Sequence, residues 1–126
     1  MLLDVELTGL SAPQQARWML REHLAGLASP VLRDALLATS EIVTNAIRYA
    51  PGPCRLSLRR ATDSPRIRVG VIDTSTELPP AFDALHDPSS TGRGLLIVDT
   101  VASSWGSRPT DAGKEVWFEM TPVGLG

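Results

Sequence analysis

The sequence predicts an α/β fold: a two-layer sandwich with helices on one face of a mixed β-sheet. Three observations predict it. Segments 3–7, 54–61 and 66–73 alternate apolar and polar residues with the period of two of half-buried strands. Three other segments carry apolar stripes at helical spacing. The resulting order, β-α-α-β-β-loop-α-β-β, is that of helices layered on a sheet.

The first strand holds Leu3, Val5 and Leu7 against Asp4, Glu6 and Thr8, and Gly9 ends it. Ser11 is placed to cap the first helix, with Pro13 in its first turn. Trp18, Leu20, Leu24 and Leu27 form its apolar stripe, and Gly26 loosens its end. Ser29 is placed to cap a second helix with Pro30 at its first position. That helix runs to about Ala50, where Pro51-Gly52-Pro53 stops it. Leu32, Leu36, Val43, Ile47 and Ala50 form its core face. Strands at 54–61 and 66–73 follow, joined by a hairpin loop at 62–65. Residues 74–92 are rich in Pro, Ser, Asp and Thr without periodicity, and a loop that long favours a functional role such as a lid. A helix over 94–103 carries Leu95, Ile97, Val98 and Val101. Two last strands, 105–108 and 116–120, are joined around Asp111-Ala112-Gly113.

At 126 residues the chain is expected to be one domain, 1–126, large enough to bury about two-thirds of its unfolded surface. With 43% hydrophobic and 21% charged residues it is not a disordered composition. No apolar run nears the roughly 18 residues of a membrane span, and the start has no basic segment or cleavage site of a secretory signal. Cys54 is the single cysteine, which excludes an internal disulfide and fits a cytoplasmic setting. The net charge of −2 excludes a generally basic nucleic-acid binder. Of the 12 basic residues only Lys114 is lysine, a bias that reads as coding preference more than as an arginine surface.

Glu41 and Asn45 stack one turn apart on the second helix, with Tyr49 continuing the column. The column lies roughly opposite Val43 and Ile47 and shares a face with Asp34 and Arg48. It reads either as a solvated face or as a carboxylate and an amide aimed at one site. The carboxylate would activate a hydroxyl or water; the amide oxygen would hold a hard metal such as Mg²⁺. Asp73 ends an apolar strand, either as a turn former or as an acceptor for a ligand at the open end of a sheet. Thr91-Gly92-Arg93-Gly94-Leu95 leads into a helix; it is either a plain junction or a cradle of backbone N–H groups for phosphate. Gly113-Lys114 is followed by Glu115, so no Walker A loop is present. No Gly-x-Ser-x-Gly occurs, His23 and His86 are isolated, and Trp18, Trp105 and Trp117 read as core or interface.

Taken in order, Glu41-x-x-x-Asn45-Ala46, Ile72-Asp73, Gly92-Arg93-Gly94-Leu95 and Gly113-Lys114-Glu115-Val116-Trp117 resemble the Bergerat-fold (GHKL) ATPases. Within them the chain looks most like the stand-alone anti-sigma-factor serine/threonine kinases, over nearly its whole length. The resemblance implies roles by position. Glu41 would be the general base and Asn45 the Mg²⁺ ligand. Asp73 would accept from the adenine amino group of ATP. Gly92 and Gly94 would present N–H groups to the phosphates, with Arg93 as a further contact. Residues 79–91 would form the lid. The implied function is ATP-dependent phosphorylation of a serine or threonine on an anti-sigma-factor antagonist (STAS-like) in a partner switch regulating transcription. Sequestration of a sigma factor, a homodimer, and no direct nucleic-acid or membrane partner go with it. In the family pattern Asp-x-Gly-x-Gly follows the strand; here it is Asp73-Thr74-Ser75-Thr76-Glu77, so both glycines are absent. That departure implies weaker ATP binding and keeps open a regulator on the same fold with little ATP use. A sensor module that requires another chain is a third reading.

Overall fold

A computed structural model of the chain describes residues 2–49, 52–74, 93–111 and 113–121. Its elements run β1 (Leu3–Leu7), α1 (Ala12–His23), α2 (Ser29–Tyr49), β2 (Cys54–Arg60), β3 (Ile67–Asp73), α3 (Arg93–Val101), β4 (Ser104–Pro109) and β5 (Lys114–Met120). The predicted order is therefore present, with most ends shifted by one or two residues; α1 stops at His23, so Leu24, Gly26 and Leu27, expected in its last turn, lie beyond it. Ala50, Ser75, Glu77, the expected lid at 79–91, His86, Thr91 and Gly92 lie outside the described residues.

The strands form one five-stranded sheet in the order β1-β2-β3-β5-β4. Every ladder is antiparallel, so the sheet is not mixed as expected. The reason lies in the last hairpin. β4 runs in the direction of β3, but β5 turns back and lies between them, leaving no parallel neighbours among the described strands. The turn is closed by Thr110 N–H to Gly113 O at 2.9 Å.

The register sorts side chains into rows. Leu58, Val69 and Phe118 lie in one row and Leu56, Val71 and Val116 in the next, all buried. These rows face the helices. The opposite face is charged: Arg55 pairs with Asp4 at 2.6 Å, Arg108 with Glu115 at 2.8 Å, and Arg68 reaches Glu119 while lying 4.1 Å over the Trp117 ring. Gly70 and Gly106 make room there, because a Cβ at either would meet the Glu115 carboxylate or the Trp117 ring.

The long helix α2 contacts the sheet and both other helices. It therefore buries more than one stripe, adding Ala35, Ala38, Thr39, Ile42 and Ala46 to Leu36 and Val43; Leu32 and Ile47 are partly buried against it. The stripe of α1 is Ala12, Ala16 and Leu20, followed by Leu24 and Leu27. Trp18 does not belong to it and is 60% exposed. Two caps also differ from expectation. Ser11 precedes α1 but makes no side-chain cap bond, and its Oγ accepts from Gln15 Nε2 at 2.8 Å. The carbonyl of Ala28 accepts from Leu32 N–H, so Ser29 is already helical and Pro30 sits at the second position. Among the described residues, no helix is long and apolar enough to cross a membrane.

Candidate functional site

The apolar, helix-facing rows of the sheet end in a polar one. Asp73, the last residue of β3, is the cross-strand partner of Lys114, the first of β5. Directly opposed residues on one face bring their side chains together. Lys114 Nζ donates to both Asp73 oxygens at 2.8 Å, and both side chains are about 95% buried or more. Such a pair at the end of a core is costly to desolvate and survives only with good geometry, which the two equal contacts provide.

Gly113 sets the approach. A Cβ there would run into the Asp73 carbonyl oxygen and the Thr74 backbone. Only a residue without a side chain lets the 110–113 turn lie flat on the point where the chain leaves β3.

Asn45 completes the group. It lines a small recess of about 10 Å³ together with Ile42, Ala46, Val71, Asp73, Lys114 and Val116. That is room for about one water. Asn45 Nδ2 is buried without a hydrogen-bond partner among the described residues, an unusual state for a buried amide nitrogen. Asn45 is thus not simply part of a solvated helix face: its side chain lines the recess at the end of β3, while Arg48 on the same side of α2 is exposed. Cys54, at the start of β2, senses the same carboxylate. Burial first, and the Asp73 charge second, hold its thiol above the ordinary value.

The structure therefore brings Asn45 and Asp73 into one recess. Glu41 lies one turn earlier on α2, half-buried and not among the lining residues of that recess. α3 opens at Arg93-Gly94, as the Gly-rich junction predicted, while the path of Gly92 lies outside the described residues. His23 is an exposed residue at the end of α1 bonded to the Met19 carbonyl. Trp105 is half-buried and donates to Asp99. No group of three or more acidic, His or Cys side chains gathers among the described residues.

The residue that sequence reasoning passed over is Lys114. Sequence reasoning places it in a failed Walker A loop and in the Gly113–Trp117 stretch of the resemblance, and assigns it no role. Its signal was compositional: a lone lysine in a chain whose other 11 basic residues are arginine.

A match to the histidine kinase-like ATPase domain family spans residues 10–120. No curated protein matches the chain. Among solved structures, the crystal structure of the RsbU and RsbW domains of Rv1364c from Mycobacterium tuberculosis is similar, with a TM-score of 0.66 at 20% identity. The similarity covers 95% of this chain and 32% of that one, so this chain spans about a third of its length, and the likeness is one of fold.

Proposed function

The chain belongs to the histidine kinase-like ATPase family, and on that premise we propose that it binds ATP with Mg²⁺ at the end of β3 and phosphorylates a protein serine or threonine. The observation that carries this reading is the Asn45 amide nitrogen, buried and without a partner among the described residues, on a side chain that lines one recess with the Asp73 carboxylate. Asp73 accepts a hydrogen bond from the exocyclic amino group of the base. A half-turn of the Asn45 amide presents its oxygen, a hard ligand suited to Mg²⁺. The N-terminal turn of α3, with Gly94 and Arg93, lends N–H groups and positive charge to phosphate. Glu41 serves as base for the acceptor hydroxyl. Bound Mg²⁺ supplies charge neutralisation on the phosphates, and the remaining demand on the protein is positioning. The proposed acceptor is an anti-sigma-factor antagonist, and a sigma factor and a second copy of the chain are the proposed partners.

A second reading is a regulator on the same fold that makes little use of ATP. One observation favours it: the Asp73 carboxylate is already engaged on both oxygens by Lys114. Calorimetry with ATP and Mg²⁺ tests the first reading, which expects saturable binding. Absence of heat and of thermal stabilisation at millimolar nucleotide refutes it. Binding without transfer of radiolabelled phosphate to an antagonist leaves the regulator.

A further inference from the structure

We propose that the open end of the β2–β3 hairpin is a docking site for an acidic segment of a partner protein, held by Arg59, Arg60 and Arg66. The site lies at the start of β3, whereas Asp73 ends that strand, about 20 Å away at the rise of a strand. The proposal does not rest on nucleotide binding.

Pairing is the first support. On the sheet face away from the helices, cations meet acids: Arg55 pairs with Asp4 at 2.6 Å and Arg108 with Glu115 at 2.8 Å. The hairpin end breaks that pattern. Arg59 is the cross-strand partner of Arg68, and like charges directly opposed destabilise a sheet. The Ala61 N–H donates to the Arg66 carbonyl at 2.9 Å, so the pairing continues past Ile67. Arg66 then lies on the same face as Arg68 and diagonal to Arg59. Arg60 adds a fourth cation at the end of β2. The carboxylate of this group, Glu119, is engaged by Arg68 at 3.5 Å. Arg59, Arg60 and Arg66 are exposed, and none of them forms an ion pair among the described residues. The arginine bias of the chain reads as coding preference; the register is what gathers these unmatched cations in one place.

Shape is the second. The four arginines and Glu119 line an open groove of about 160 Å³. At about 30 Å³ per water in the liquid, that is room for more than one carboxylate side chain. β1 pairs with β2 only as far as Leu58, so Arg59 and Arg60 lie past the end of that ladder.

Charge selects the occupant. The guanidinium fork matches a carboxylate with two parallel hydrogen bonds. A single small anion on exposed arginines is screened by salt and gains little, whereas several carboxylates on one chain bind together. The chain is net −2, so outside this cluster acid is in surplus. Asp4, Glu6 and Glu115 lie further along the same sheet face. A long polyanion such as a nucleic acid would meet that acid beyond the groove. A short acidic segment ends inside the arginine cluster.

The test is fluorescence anisotropy of a labelled hexaglutamate peptide titrated with the full chain at low ionic strength. Wild type is expected to bind saturably, and more weakly as salt is added. Arg59→Gln and Arg66→Gln in one chain are expected to weaken binding about tenfold, the loss of two ion pairs. Arg21→Gln and Arg33→Gln remove the same charge from exposed positions on α1 and α2 and are expected to stay within about twofold of wild type, because distant charges are screened. Equal loss in the two double variants, or no binding by wild type, overturns the proposal. Tighter binding of single-stranded hexathymidylate than of hexaglutamate overturns it in favour of a nucleic-acid site. Urea unfolding supplies the structural readout. Relief of opposed like charges should leave the midpoint of the Arg59→Gln, Arg66→Gln variant at or above that of wild type. A midpoint clearly below it would mean that these arginines serve the fold, and overturns the proposal as well.

Discussion

Removing one partner of the Asp73–Lys114 pair should cost far more than removing both charges. The two side chains are 3% and 5% exposed, so neither charge can recover solvation when the other is lost. Breaking a buried pair from one side typically costs about 3–5 kcal/mol, because a lone charge stays buried. Lys114→Met and Asp73→Asn should each fall in that range. The double variant removes both charges and keeps the shape, leaving only an amide short of partners, a cost of about 1–3 kcal/mol. The sum of the singles should therefore exceed the double by about 3 kcal/mol or more, at the upper end of couplings between touching residues. Urea unfolding followed by far-UV circular dichroism at pH 7 measures all four proteins. Equal slopes are required, so that shifts in midpoint report stability and not a change of denatured state. Additive costs would refute the reasoning, as would single variants that each lose less than about 1 kcal/mol, the level of an exposed pair.

Three further outcomes follow from the same site. Gly113→Ala forces a methyl against the Asp73 carbonyl and should destabilise by about 1–3 kcal/mol, read in the same urea assay, with weaker nucleotide binding by calorimetry. Glu41→Ala should lower phosphate transfer by about 10²–10⁴-fold with nucleotide affinity little changed; wild-type transfer would return Glu41 to an ordinary helix position. Cys54 should resist thiol reagents near neutral pH, since burial and the Asp73 charge hold its thiol up. The sign of the linkage is fixed: with the folded value raised above the ordinary 9.0, this contribution to stability is present below that pH and is lost as pH rises through and beyond it. Asp73→Asn should speed the labelling of folded protein.

How far the sequence could be read depends on what each residue's position is decided by. Alternation in 3–7 and 66–73 is a local property, and those strands stand where periodicity put them. The same holds for α2, bounded by Pro30 near its start and Pro51 beyond its end. Ladder direction is not local. Nothing in residues 104–120 says that β5 inserts between β3 and β4, so the sheet was expected to be mixed. Trp18 shows the same limit from the other side: helical spacing groups it with Leu20 and Leu24, but α1 packs through its small residues Ala12 and Ala16, and the indole is left outside. The site divides likewise. Asp73 and Asn45 were legible from type and order along the chain. That they share one recess was not, because helix geometry alone put the Glu41–Asn45 column opposite the core and allowed it to be solvated. Lys114 needed both kinds of information. Its rarity is written in the composition, yet rarity has no meaning until the register sets it against Asp73. Set opposite Asp73, its ammonium meets both carboxylate oxygens in a place where neither group is open to water, and that burial is why removing one partner should cost more than removing both.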